Sequence, residues 1–154
     1  MEIRTKEEVD NHHRRDMETT NIFSATTAKT IQEFIRSLRE NAPKFDFRVH
    51  EVVDMRKLYD GYGIEVADNF EVYTITLCSP QKSYKSITKN PARNAAIIES
   101  KHIVVYRGDQ GVTTINYLPL PQEFIRETFP DDAEFPENIH QSCQQRIKII
   151  EASL

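Results

Sequence analysis

Glycine is scarce: Gly61, Gly63, Gly108 and Gly111 are the only four in 154 residues. No G-x-G-x-x-G turn and no G-x-x-x-x-G-K-[ST] cradle can be written with them, which excludes the nucleotide-fold enzymes built on those loops. G-x-S-x-G, H-E-x-x-H and C-x-x-C are also missing, so the usual hydrolase elbow, zincin and dithiol chemistries go with them. Cys78 and Cys143 are the two cysteines, too few for a disulfide framework. Long apolar runs are lacking as well. Stretches such as Ile103-Val104-Val105-Tyr106 fall far short of the ~20 residues of a spanning helix, and the first thirty residues are charged where a signal peptide would be apolar. The expectation is a cytoplasmic protein with no membrane contact. A net charge of -4 argues against general nucleic-acid binding, though not against a local basic patch.

What is present suits one domain. Hydrophobic residues are 38% and charged residues 29% of the chain, and at this length folding buries ~70% of the surface. Residues 1–17 mix acids and bases around His12-His13 and read as a mobile arm. Residues 18–154 read as a single α+β domain with a helix added at its C-terminal end. A short strand is expected over Thr19–Ser24. Ala28, Ile31, Phe34, Ile35 and Leu38 recur on one helical face, predicting a helix over Thr27–Asn41 capped by Thr26 or Thr27. Phe45, Phe47 and Val49 alternate with polar residues as a strand would, and Glu71–Cys78 does so again. A short helix is expected over Met55–Tyr62. Ser79-Pro80 is a cap residue followed by proline at a first helical position, predicting a helix to about Asn90. Gly108 to Gly111 sits between two strand-like runs and marks a hairpin. Further helices are expected over Leu120–Thr128 and Glu137–Ala152, the last with the stripe Ile139, Cys143, Ile147 and Ile150. These elements make a two-layer α+β domain, a mainly antiparallel sheet with helices on one face. The other face, with Val72, Thr74, Thr76, Val104, Tyr106 and Thr114, carries enough β-branched and aromatic surface to predict a homodimer through it.

The candidate site is a ligand-binding one: Cys78, Ser79, Lys82, Lys85, Lys89 and Arg93. A thiol at a helix start feels the positive end of the helix dipole, which favours the thiolate. The four cations recur at intervals of 3, 4 and 4, with no acid between Lys82 and Glu99. A small anionic ligand or a protein partner could sit there, completed by Ser79 and free backbone N–H groups. The alternative is a cysteine-dependent enzyme or redox sensor using Cys78. The plainer readings are a buried structural cysteine and a solvated lysine face. No cofactor is named by any motif. His12 and His13 with Asp10 and Asp16, or His140 with Cys143, lack a complete metal-ligand set, and Asp131-Asp132 sits in a loop too polar for an acid/base dyad.

From about Thr26 to Leu120 the chain resembles the family known as domain of unknown function 302. The likeness is carried by Ile31–Leu38 followed by Phe45-Asp46-Phe47, by the strand ending in Cys78-Ser79-Pro80, and by Ile97-Ile98-Glu99-Ser100 leading into Ile103–Tyr106. Members typically show Cys-Asn-Pro at the first place and Leu-Leu-Pro-Cys at the second. Here Ser79 replaces the asparagine, and Glu99 and Ser100 stand where the proline and second cysteine would be. If the family's paired cysteines form a disulfide or bind a metal together, this chain cannot do so with those positions. The resemblance implies a topology like that of the TATA-binding protein, usually in a homodimer, and implies no established activity.

Overall fold

Alternation along the strands decides which way the sheet faces. A computed structural model of the protein describes residues 21–108 and 110–154. The predicted arm, with His12 and His13, lies outside the described residues. Strands β1 (Phe23–Thr27), β2 (Arg48–Asp54), β3 (Val72–Cys78), β4 (His102–Arg107) and β5 (Thr113–Tyr117) form one sheet in the order β1-β5-β4-β3-β2. Every neighbouring pair is antiparallel. Ile75, Leu77, Ile103, Val105, Ile115 and Tyr117 point to one face and are buried, each contributing roughly 1.5–3 kcal/mol of hydrophobic stabilisation. Val72, Tyr106, Thr114 and Thr26 form a row across the other face, half-buried or exposed.

The helical layer closes the core. Helix α1 (Ile31–Asn41) buries Ile31, Phe34, Ile35 and Leu38. Its cap is Thr30, whose hydroxyl accepts from the Glu33 N–H at 3.1 Å, so the expected caps Thr26 and Thr27 are displaced. The reason is pairing: both residues are held in β1 against Thr114 and Thr113. The expected strand over Thr19–Ser24 likewise moves on to Phe23–Thr27. Phe45 is not in a strand. Pro43 opens a 3-10 turn over Ala42–Phe45, closed by Asp46 at φ 62, and β2 begins only at Arg48; the short polar side chain of aspartate tolerates that left-handed position.

Helices α2 (Met55–Gly61), α3 (Pro80–Lys89), α4 (Asn94–Glu99), α5 (Gln122–Thr128) and α6 (Phe135–Ser153) follow. The β4–β5 hairpin forms as expected, with the Gly108 N–H on the Val112 carbonyl at 2.9 Å and Gly111 at φ 71. Helix α6 starts two residues earlier than expected. Its inner face also differs: Arg146 is buried while Ile147 is half-buried. Among the described residues no helix is long and apolar enough to cross a membrane.

Candidate functional site

Leu77 is the last inward aliphatic of β3, and the chain then turns into α3 through Cys78, Ser79 and Pro80. Proline fits the first helical position because its missing N–H has no partner to lose there. Ser79 takes extended angles but its side chain does not cap the helix. It is 4% exposed, and among the described residues its hydroxyl has no hydrogen-bond partner. Cys78 ends β3 buried, its Sγ 3.9 Å from the Ser83 hydroxyl.

Helix α6 brings the residue that matters most. Ile139, Cys143, Arg146 and Ile150 recur at spacings of four, three and four, which places Arg146 on the buried face. Its Nε donates to the Leu77 carbonyl at 2.9 Å. The guanidinium carbon lies 5.1 Å from the centroid of the Phe47 ring, and the Lys82 ammonium is 5.5 Å from the same ring. Arg146 is 3% exposed, and among the described residues its NH1 nitrogen has no hydrogen-bond partner and no carboxylate lies within ion-pair distance. Removing a charge from water without a counter-charge costs several kcal/mol.

Ser79 and Arg146 line a chamber of about 50 Å³ between α3 and α6, together with Cys78, Lys82, Ser83, Ser86, Ile97, Ser100, Asn138, Ile139 and Ser142. The lining contains no carboxylate and no imidazole; its two charges, Lys82 and Arg146, are both positive. Ser100, where the resemblance expects a second cysteine, shares this lining with Cys78. Its carbonyl accepts from the Tyr117 hydroxyl at 2.7 Å, and burial pushes that phenol well above its ordinary value of 10.0. Lys82, Ser86, Asn138 and Ser142 also line an outer cleft of about 440 Å³, with Lys85, Thr88, Lys89, Arg93 and Gln141.

The six residues singled out in the sequence therefore divide. Cys78, Ser79 and Lys82 meet in the inner chamber, and Lys85 lines the outer cleft. Lys89 and Arg93 also line that cleft, but each has an acidic partner. Helix α3 ends at Lys89, so Arg93 turns inward in a 3-10 turn instead of extending a lysine face. Its Nε and NH2 bind the two oxygens of Asp132 at 2.6 Å each, its NH1 donates to Ser86 at 3.2 Å, and it lies over the Phe135 ring. Hydrogen bonds from Arg93 hold the Asp132 carboxyl below its ordinary 3.8, against the opposing pull of burial. Lys89 pairs with Glu134 at 3.0 Å. Arg146 was missed by the sequence reading. The available signal was a cation at a stripe position, between Cys143 and Ile150 where the pattern asks for an apolar residue.

The family model described as "Domain of unknown function DUF302" matches residues 23–152. The match takes in α6, which lies beyond the Thr26–Leu120 stretch that carries the resemblance in the sequence. Among solved structures, the chain is similar to the crystal structure of an uncharacterized conserved protein DUF302 from Bacillus stearothermophilus. The TM-score is 0.71 at 14% identity, covering 88% of this chain and 100% of that one, a likeness of fold. No curated protein matches.

Proposed function

The chain belongs to the DUF302 family, whose description carries no activity, so we propose a function from the cavity itself: the protein binds a small oxyanion between α3 and α6. One observation carries this reading. The Arg146 NH1 and the Ser79 hydroxyl are both buried without partners among the described residues, and both residues line the same chamber. Buried polar groups are almost always satisfied, and an unsatisfied one costs about 1–3 kcal/mol, more when charged. An entering carboxylate or phosphate oxygen accepts from both and supplies the counter-charge that Arg146 lacks. The Lys82 ammonium adds to the attraction from the mouth.

The second reading, Cys78 as a reactive thiolate, is supported by the place of Cys78 in the same lining. Against it stands the absence of any carboxylate or imidazole among those lining residues to take a proton. Binding without chemistry is the reading we adopt. The proposal keeps the protein in the cytoplasm, where Cys78 and Cys143 stay reduced, and keeps the homodimer, in which a second copy covers the sheet face bearing Thr74, Val104 and Tyr106.

Isothermal titration with phosphate, sulfate and acetate tests the binding. Saturable heat from at least one of them, lost in Arg146→Met, is the expected result; no heat from any would end the proposal. Light scattering at micromolar concentration tests the dimer. Twice the protomer mass is expected, reduced to one in Val104→Arg, and a monomeric parent would remove the dimer alone.

A further inference from the structure

The inner chamber and the outer cleft differ about ninefold in volume, at about 50 and about 440 Å³. The inner one has room for a headgroup of a few non-hydrogen atoms and for nothing larger. Lys82, Ser86, Asn138 and Ser142 line both, so the two are one cleft with a narrow floor. Positive charge is not spread evenly along it. Arg93 and Lys89 are matched by Asp132 and Glu134, whereas Lys82 and Lys85 have no acidic partner within 4.0 Å among the described residues. Among the described residues the cations of this cleft without an acidic partner are thus Arg146 on the floor and the Lys82–Lys85 pair at the mouth, with hydroxyl and amide groups between.

We propose that the natural ligand is an elongated, two-headed anion: a short organic acid with a carboxylate or phosphate at one end seated against Arg146 and Ser79, and a second anionic group held at the mouth by Lys82 and Lys85. The inference rests on the anion reading above and adds to it the length and charge of the ligand. Ser86, Asn138 and Ser142 suit a short polar or hydroxylated middle. No aromatic side chain lines the outer cleft, so a nucleobase would find no ring to stack on.

Titration calorimetry of the full chain with acetate, succinate and glutarate, and in parallel with phosphate and phosphoglycolate, reads this directly. Succinate, glutarate and phosphoglycolate, with two anionic heads, should bind about fivefold more tightly than acetate or phosphate with one, the upper range for an exposed ion pair. Lys85→Gln should erase that advantage while leaving acetate and phosphate unchanged. Lys57→Gln, on α2 and exposed, should leave the advantage intact. Comparison of the carboxylate and phosphate arms identifies the headgroup on the floor. Equal affinity for one-headed and two-headed anions, an advantage that survives Lys85→Gln, or one lost equally in Lys57→Gln would overturn the two-headed ligand while leaving the inner site standing. No binding of any of the five would overturn the anion reading with it. Lys85 is exposed, and an unchanged circular dichroism spectrum confirms that its variant folds.

Discussion

Replacing Arg146 with methionine separates a ligand-binding cation from a structural strut. The change removes the Nε–Leu77 hydrogen bond, worth about 1.5–3 kcal/mol for a charged donor. It also removes the contact with the Phe47 ring, worth up to about 2 kcal/mol when desolvated. Against these losses, it relieves a buried charge whose desolvation costs several kcal/mol and whose NH1 is unpartnered. The opposing effects are of similar size, so the unliganded protein should move by no more than about 2 kcal/mol. Adding anion breaks that balance. At a concentration one hundred times Kd the parent gains about 2.7 kcal/mol. For a domain of this length that raises Tm by roughly 5–11 °C, and Arg146→Met should show no rise. Arg146→Lys, which keeps the charge on a flexible stem without the planar fork, should recover part of it. Differential scanning calorimetry with and without phosphate or acetate supplies both comparisons. An equal rise in parent and Arg146→Met, or a loss near 5 kcal/mol in the unliganded variant, would refute the reasoning.

Three other outcomes follow from the same contacts. Asp132→Asn removes the bidentate partner of buried Arg93, leaving only Glu134 at 4.0 Å, and should cost about 3 kcal/mol in urea unfolding. Because the folded Asp132 carboxyl lies below 3.8, its contribution is present above that value and is lost as pH falls through the folded value, so the penalty should shrink in acid. Tyr117→Phe orphans the Ser100 carbonyl and should cost about 1–2 kcal/mol. Since burial raises that phenol above 10.0, the parent is fully stabilised below pH 10.0 and weakens above it by about 1.4 kcal/mol per pH unit; the variant should lose that slope. Cys78 is 9% exposed and Cys143 fully buried, so iodoacetamide should alkylate Cys78 slowly and Cys143 only on unfolding. Phosphate should slow the Cys78 reaction further, and equal rates with and without it would put the anion elsewhere.

Much of the fold was legible because its signals are local. The alternation in Glu71–Cys78, the Ser79-Pro80 helix start and the glycine-marked hairpin all sit where the sequence places them. Phe45-Asp46-Phe47 misled because alternation over three residues cannot reveal a left-handed Asp46 or a 3-10 turn after Pro43. Thr27 misled in a related way: it has the chemistry of a cap, but its pairing with Thr113 on a distant strand outweighed that preference.

The candidate site divides along the same line. The sequence alone determined that Cys78, Ser79 and Lys82 lie at a strand–helix junction, because a proline at the first helical turn and a two-residue alternation act between neighbours in the chain. Which cations keep their charge unmatched was decided only by the tertiary structure. Asp132 reaches Arg93 across 39 residues and Arg146 reaches Leu77 across 69. Coulomb attraction and desolvation depend on separation in space and on burial, and no periodicity along the chain encodes either for groups so far apart.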